Sequence, residues 1–289
     1  MKKVLLQLDT EEYPSPFDAI VAHDAGVDVL LSRGGVKPEA ARGLAQDAFF
    51  TRGPDDLNTI AVWVGGKDVA AGEEVFAQVQ KAFFGPFRVS AMLDSNGCNT
   101  TAATTIARIA KGRDLGGDRA VVIGLGAVGL RSAVLLQNEG CEVTVAALPP
   151  DLFGDDRPYR PPRGLAVAQQ LGLEIREPAD RAELESVLDG AQIVLSAGPA
   201  GVPVLRRDFW AQHPTIELLA DYNAAEPLGI EDTKATDDLA NHDGKLVLGA
   251  LAIGGPKMKV HKACVRRLFE SNDQVLDTDA VYAVAKELV

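Results

Sequence analysis

The chain has 289 residues, 46% hydrophobic and 24% charged, with 29 basic against 41 acidic residues and a formal net charge of −12. That length allows two domains of roughly 100–200 residues each. The acidic balance disfavours nucleic acid and anionic membranes as partners, and no apolar run reaches the ~20 residues of a membrane helix. The N-terminal apolar stretch is too short for a signal peptide, and three widely spaced cysteines suit a reducing compartment. We therefore expect a cytoplasmic protein with no membrane or nucleic-acid partner.

The first hundred residues alternate short apolar runs with helical patterns. The runs that predict strands are residues 3–8, 27–32, 59–66 and 87–93. The patterns that predict helices are residues 15–26, 38–50 and 68–85. Nearly continuous apolar strands separated by helices are typical of a parallel sheet that is covered on both faces. Such sheets bind ligands beyond the carboxyl ends of their strands.

The fourth predicted strand ends in a segment crowded with polar side chains, after which a helical pattern begins at once. A helix start needs one or two capping groups for its first amides, and this segment carries more than that. We therefore predict that the segment lines a substrate site. The residues assigned to substrate binding are Asp94, Ser95, Asn96, Asn99, Thr100 and Thr101.

A second α/β series begins at Arg119. Strands, some with their following turns, are predicted at residues 119–123, 141–147, 173–177, 191–201, 215–224 and 245–255. Helices are predicted at residues 124–140 (after an initial turn), 164–172, 181–190, 260–271 and 277–289. The loop 148–164 contains five prolines. The predicted division is a substrate domain, residues 1–105 with 271–289, and a Rossmann-type dinucleotide-binding domain, residues 106–270.

Residues 124–129 read G-L-G-A-V-G and lie between the first strand and the first helix of the second series, which is the context that a dinucleotide fingerprint requires. The first glycine makes the tight turn, the second lets a pyrophosphate approach, and the third packs the helix on the strand. The helix amino end then stabilises the phosphate charge. The alternative is a glycine-rich turn without a ligand. The residues assigned to the cofactor here and at later strand ends are Gly124, Leu125, Gly126, Ala127, Val128, Gly129, Ala197, Gly198, Asp221 and Asn223.

The choice of dinucleotide depends on the residues after the second strand of this series. An NAD enzyme usually places Asp or Glu there to bind the ribose 2′-hydroxyl, but residues 145–148 contain no acid. The following loop contains Arg157, Arg160 and Arg163, which can bind a 2′-phosphate, and also three aspartates. We predict NADP, with Arg157 and Arg160 as ligands, and leave NAD open.

No nucleophile or metal motif is present in the sequence. The four histidines lack ligand spacing, so no metal is predicted. His261, on a predicted helix, is interpreted as a packing or capping residue rather than a general base. Hydride transfer to a nicotinamide needs a donor carbon held against the ring more than an acid–base pair. Polar turns at strand ends suit that task.

Four segments together resemble the bacterial methylene-tetrahydromethanopterin dehydrogenases over nearly the whole chain: FFGPFRVSAMLDSNGCNTTAA, GLGAVGLRSA, IELLADYNAAEPLGI and GALAIGGPKMKVHKAC. The resemblance implies two α/β domains with a deep cleft, a nicotinamide dinucleotide on the second domain and the pterin between them. It implies oxidation of the methylene bridge of tetrahydromethanopterin to methenyl during formaldehyde oxidation. It also implies a homo-oligomer built on trimers.

Lys257 is the residue assigned to catalysis. It follows a Gly-Gly-Pro sequence, which predicts a stiff turn at the end of the apolar stretch 245–255. In the implied reaction, two nitrogens beside the methylene carbon push the hydride out, so no base is required. We therefore expect the ammonium of Lys257 to bind and orient the pterin rather than to abstract a proton. The alternative is a surface lysine.

Three other functions stay open. A dehydrogenase of methylene-tetrahydrofolate, or of both pterins, would share the reacting imidazolidine ring. A non-catalytic dinucleotide sensor would need no second polar site. A hydroxy-acid dehydrogenase usually wants a proton acceptor near the hydroxyl, and only Lys257 and Lys259 are placed to supply one.

Overall fold

The computed structural model describes residues 1–149, 152 and 164–289. The chain divides into two compact units, unit 1 (Met1–Thr100 with Lys257–Leu288) and unit 2 (Thr101–Pro256 with Val289). The predicted domain boundaries lie after residues 105 and 270. In the structure the chain passes from one unit to the other after Thr100 and after Pro256, both times within a helix. Within the described part of the chain, every helix is too short or too polar to cross a membrane.

The regular elements of the described residues follow the two predicted series. The strands are β1 (Val4–Asp9), β2 (Val29–Arg33), β3 (Ile60–Gly65), β4 (Ser90–Leu93), β5 (Arg119–Ile123), β6 (Glu142–Ala146), β7 (Glu174–Arg176), β8 (Ile193–Ser196), β9 (Leu218–Asp221), β10 (Asp238–His242), β11 (Lys245–Leu248) and β12 (Val275–Leu276). The α-helices are α1 (Pro16–Asp24), α2 (Pro38–Phe49), α3 (Val69–Ala82), α4 (Cys98–Ala110), α5 (Ala127–Asn138), α6 (Leu165–Gln170), α7 (Arg181–Val187), α8 (Arg207–Trp210), α9 (Ala250–Arg267) and α10 (Thr278–Leu288).

Unit 1 is built on a five-stranded parallel sheet with the order β2-β1-β3-β4-β12. All six residues of β3 are buried, as the continuous apolar pattern predicts. The strand order reverses between β1 and β3, and α/β sheets bind their ligands at such a switch point. The helix that follows β1 begins with Ser15, whose hydroxyl accepts from the Asp18 amide, and with Pro16 at the first position.

Unit 2 contains a seven-stranded sheet with the order β10-β11-β9-β8-β5-β6-β7. All neighbours are parallel except β10, which pairs with β11 in antiparallel fashion at the edge. Numbered from β5, the parallel strands have the order 3-2-1-4-5-6, which is the order of dinucleotide-binding Rossmann folds. The switch point lies between β5 and β8. The predicted α/β architecture with two parallel sheets is confirmed.

The prediction of an apolar strand over residues 245–255 is wrong beyond Leu248. α9 starts at Ala250 and contains the Gly-Gly-Pro sequence that was expected to form a turn. Proline cannot donate to the carbonyl four residues earlier, here that of Ala252. That carbonyl accepts instead from the guanidinium of Arg108 at 3.1 Å, so the helix continues through Pro256.

The corrected helix changes the setting of Lys257. The residue lies in the middle of an 18-residue helix rather than after a stiff turn. Its position is therefore fixed by helical geometry, and its side chain shares a helix face with residues three and four positions away.

Candidate active site

The glycine-rich turn of unit 2 joins β5 to α5. Gly124 has φ +118°, a conformation that favours glycine, and a Cβ there would lie 2.5 Å from the carbonyl oxygen of Ala197. A Cβ on Gly129 would lie 2.5 Å from the carbonyl oxygen of Gly124. These two glycines therefore allow the turns after β5 and β8 to touch and α5 to pack closely on the sheet.

Gly126 stands by contrast in space that the described residues leave open. Among their atoms, the nearest that a Cβ there would meet is the Ala197 carbonyl oxygen at 3.9 Å. Gly126 is the N-cap of α5, and no side chain of the described residues caps the helix. The first amides and the positive end of the helix dipole are therefore available to an anion. Ala127 and Val128 supply two of these amides, and the turn fits a pyrophosphate.

Two polar residues assigned to the cofactor hold the turns at the carboxyl edge of the unit 2 sheet. Asp221 is buried and accepts from the amides of Asn223 at 3.0 Å and Ile230 at 3.1 Å; burial raises its pKa. The Asn223 side chain donates to the carbonyl of Pro199 at 2.9 Å, in the turn that Gly198 begins. These bonds fix the edge beside the glycine-rich turn, and contact with a cofactor remains a prediction.

The residues that follow β6 are the ones expected to distinguish NAD from NADP. Of these, the described residues 147–149 carry no acid. The chain is described again from Gly164, where a Cβ would lie 1.9 Å from the carbonyl oxygen of Leu125, so Gly164 itself packs on the glycine-rich turn. Arg157, Arg160 and Arg163 lie outside the described residues, and their assignment to a 2′-phosphate remains a prediction.

A pocket of about 700 Å³ opens at the switch point of the unit 1 sheet. It is lined by the segments that follow β1, β3 and β4, which meet at the carboxyl edge. Its side chains comprise four carboxylates, two lysines and two aromatic rings: Asp9, Glu11, Glu12, Asp18, Lys67, Lys257, Tyr13 and Phe17. Tyr13 is 80% exposed and Phe17 50% exposed, so flat apolar surfaces stand beside charged groups.

Backbone contacts of buried polar groups hold these segments in place. The carboxylate of Asp9 accepts from the amides of Glu11 at 2.8 Å and Ser15 at 2.9 Å. The amide of Asn96 donates to the carbonyl of Gly66 at 2.7 Å, which joins the segments after β3 and β4. Asn96 has φ +54°, in the left-handed region where asparagine is tolerated. These bonds fix the segments that line the pocket relative to one another.

Most of the polar side chains after β4 serve the protein itself. One Asp94 oxygen accepts from the amides of Asn99 at 2.9 Å and Thr100 at 3.1 Å, and the other accepts from the Thr100 hydroxyl at 2.7 Å. The side-chain amide of Asn99 donates to the carbonyl of Leu93 at 2.6 Å. The Ser95 hydroxyl donates to the carbonyl of Gly65 at 3.4 Å. These side chains are buried and fasten the start of α4 to the sheet.

The other two residues assigned to substrate differ in location. Asn96 is exposed and lines the pocket together with Gly97. Thr101 is half-buried and belongs to unit 2. Of the six residues assigned to substrate, the structure therefore places one on the pocket, and a ligand contact for the others remains a prediction.

Lys257 lines the same pocket, on α9. Its ammonium lies 4.9 Å from the centre of the Phe17 ring, within the range of a cation–π contact. It is 3.3 Å from Nδ1 of His261. A Cβ on Gly97 would lie 3.1 Å from Nζ, so the glycine leaves room for the lysine. The side chain is thus confined on several sides, whereas Lys259 is exposed.

Asp18 also lines the pocket, although no motif in the sequence singled it out. Burial, followed by the nearby charges of Asp94 and Asp9, raises the pKa of Asp18 to about 7, while Lys257 and a hydrogen bond to Ser15 oppose the shift. A carboxyl group that titrates near neutrality in a pocket beside a lysine is a typical functional group. The available signal was its position just after the first strand of a parallel sheet, but an acid in a first helical turn also suits the helix dipole.

The fold and the glycine-rich turn together define the class of Rossmann-type dinucleotide-binding proteins. Residues 16–96 match the N-terminal region of methylene-tetrahydromethanopterin dehydrogenases. Over 99% of both chains, the protein is 42% identical to a bifunctional protein named MdtA of Methylorubrum extorquens. It is 30% identical, again over 99% of both chains, to an NAD(P)-dependent methylenetetrahydromethanopterin dehydrogenase of the same organism.

The chain belongs to the methylene-tetrahydromethanopterin dehydrogenase family, and it is an oxidoreductase. A solved chorismate mutase/shikimate 5-dehydrogenase fusion protein from Clostridium acetobutylicum shares the fold. That similarity has a TM-score of 0.50 at 10% identity and covers 99% of this chain and 98% of the other.

Proposed function

We propose that the protein transfers a hydride from methylene-tetrahydromethanopterin to NADP and releases the methenyl pterin. The observation that carries this proposal is the full-length similarity to the NAD(P)-dependent enzyme. The open position at Gly126 and the uncapped start of α5 support a dinucleotide on unit 2. When bound, NADP supplies the hydride acceptor.

The pocket of unit 1 is the proposed pterin site. A pterin is flat and presents ring N–H and amino donors along one edge. The carboxylates of Asp18 and Glu12 can accept from such donors, and Tyr13 and Phe17 offer surfaces for stacking. The volume of about 700 Å³ is in the range of small-molecule sites.

The protein residues in this proposal orient the pterin and do not transfer a proton. The lone pairs of the two nitrogens beside the methylene carbon expel the hydride, and the product is a delocalised cation. Lys257 cannot favour that cation electrostatically, so its contribution is to bind a polar atom of the pterin away from the reacting carbon. Contacts with Phe17 and Gly97 restrict the orientation of the ammonium. A restricted ammonium is suited to holding the pterin in one position.

The cofactor preference, the assembly and the compartment are parts of the same proposal. The absence of an acid in residues 147–149 supports NADP over NAD. A homo-oligomer built on trimers, which the sequence resemblance implies, is testable by sedimentation equilibrium. A cytoplasmic enzyme is supported by the three cysteines, all of them buried thiols.

A second candidate is a dehydrogenase that accepts both pterins. Tetrahydrofolate and tetrahydromethanopterin share the reacting imidazolidine ring, and the relative that is 42% identical is named a bifunctional protein.

The role of Lys257 is tested by Lys257→Ala, with Lys259→Ala as a control two positions along the same helix. We expect Lys257→Ala to lower kcat/KM for the pterin by roughly 10²-fold through lost positioning, with the Kd for NADP nearly unchanged. Lys259→Ala should resemble the wild type because its side chain is exposed. If Lys257→Ala turned over the pterin at the wild-type rate, Lys257 would have no role in orienting it.

A further inference from the structure

We infer that His261 is a positioning residue, which accepts a hydrogen bond from the ammonium of Lys257 and holds it toward the pocket of unit 1. This inference rests on the proposed function in one respect, namely that Lys257 orients the pterin. The two residues are four positions apart on α9, the spacing at which side chains of one helix meet. Nζ and Nδ1 are 3.3 Å apart.

The contact determines which nitrogen of the imidazole carries the proton. A lysine ammonium has three donors and no acceptor, so Nδ1 has to be the acceptor and Nε2 has to carry the hydrogen. Nε2 faces Oδ2 of Asp94 at 3.5 Å, and within the described part of the chain it has no hydrogen-bond partner. A donor on Nε2 facing a carboxylate is the arrangement that this tautomer needs.

The surroundings keep the imidazole neutral, as an acceptor at Nδ1 requires. His261 is 0% exposed, and the Trp63 ring packs against it at 4.8 Å between ring centres. Burial, with a smaller contribution from Lys257, lowers the pKa of His261 to about 4 although Asp94 opposes the shift. At neutral pH the ring is therefore uncharged and does not repel the ammonium.

The contacts form a continuous path from the protein interior to the pocket. The amides at the start of α4 fix the carboxylate of Asp94, which faces His261, which in turn meets Lys257. A lysine side chain loses rotamer entropy when it is held in one conformation. Without the imidazole acceptor, the ammonium can turn toward the carboxyl group of Asp18, with which it interacts electrostatically. His261 thus preserves the direction of Lys257.

The first test reads the tautomer without any pterin. Histidine labelled with ¹⁵N in the intact protein gives four imidazole spin systems, and the signal of His261 is assigned by its loss in His261→Asn. At pH 7 we expect a neutral ring with the proton on Nε2, and a changed Nδ1 shift in Lys257→Ala. A proton on Nδ1, or a protonated ring, would overturn the inference because neither can accept from an ammonium.

The second test uses kinetics. His261→Leu removes the acceptor and should lower kcat/KM for the pterin roughly 10-fold or more, with the Kd for NADP within about twofold. His261→Asn places an amide near the Nδ1 position and should recover part of the loss. Cys264→Ala, a buried change one turn further along α9, is the control for a disturbed core. Equal kinetics for His261→Leu and Cys264→Ala would overturn the inference. A wild-type protein inactive on the pterin but with the expected tautomer would instead refute the proposed function alone.

Discussion

Replacing Gly126 by valine separates cofactor binding from folding. A side chain there meets no atom of the described chain closer than 3.9 Å, and the backbone, with φ −76° and ψ 168°, allows any residue. The change should therefore cost folding only the poorer N-cap preference of valine, about 1 kcal/mol or less. The volume that the side chain fills is where the pyrophosphate is expected to approach the helix.

The size of the binding loss follows from the contacts that valine would block. A hydrogen bond from an amide to a charged phosphate contributes about 1.5–3 kcal/mol, and the helix end about 0.3–1 kcal/mol. Losing one such hydrogen bond together with the helix-end interaction raises the Kd for NADP by roughly 10–10³-fold. The assay is titration calorimetry with NADP, together with urea unfolding to measure the free energy of unfolding.

Gly53→Val is the matched control, because Gly53 is also an N-cap glycine in open space, with φ −68° and ψ 159°, but belongs to unit 1. It should leave NADP binding unchanged. Gly129→Val should unfold the protein instead, since its Cβ would lie 2.5 Å from a backbone oxygen. Normal NADP binding by a folded Gly126→Val protein would refute the assignment of the phosphate turn.

Three further predictions concern charge and packing. Asp18→Asn should raise the free energy of unfolding on the order of 2 kcal/mol at pH 8 and leave it unchanged below pH 4. The reason is that the pKa of the Asp18 carboxyl is higher in the folded than in the unfolded protein, so the wild type loses stability as the pH rises from 4 to 7. Urea titrations at both pH values check this, and an equal gain at both would contradict it. Arg108→Met should destabilise the protein by about 1–2 kcal/mol through the backbone carbonyl left without its donor; an unchanged urea midpoint would argue against that role. Replacing Arg157, Arg160 and Arg163 together should weaken NADP far more than NAD, and an equal loss for both cofactors would exclude a contact with the 2′-phosphate.

Periodicity alone predicted most of both sheets. β3 to β9 lie within the predicted apolar runs, and β1 and β2 extend one residue beyond theirs, because strands buried on both faces leave an unmistakable pattern. β10 was missed because its sequence is polar and it pairs at an edge. β12 has only two residues, and its pairing depends on a contact with β4 that is distant in sequence.

The helical conformation of Pro256 could not be predicted from local sequence. A Gly-Gly-Pro sequence favours a turn. The helix is favoured instead by a hydrogen bond to the carbonyl of Ala252, which Pro256 leaves without a donor, from Arg108, 144 residues before Ala252. Tertiary structure thus overrode local preference. The identity of Lys257 as a pocket residue did not depend on the error, since the helix also directs it to the pocket.

The glycine-rich turn was predictable in detail, whereas the pocket of unit 1 was predictable only in its location. Gly124 and Gly129 have roles that steric limits within the protein impose, whereas Gly126 is predicted to leave space for the pyrophosphate. The polar residues after β4 were correctly placed at a carboxyl edge, but a sequence does not show which hydrogen bonds are satisfied internally. Asp94 caps a helix, and the titratable group in the pocket, Asp18, follows β1 instead.

The most direct test of the account is a cofactor-reduction assay that crosses methylene-tetrahydromethanopterin and methylene-tetrahydrofolate with NADP and NAD, with absorbance of the reduced cofactor and of the methenyl product followed together. We expect equal rates of NADPH and methenyl formation with methylene-tetrahydromethanopterin and NADP, and slower reduction of NAD. No reduction of either cofactor by methylene-tetrahydromethanopterin, in a protein that binds NADP, would contradict it.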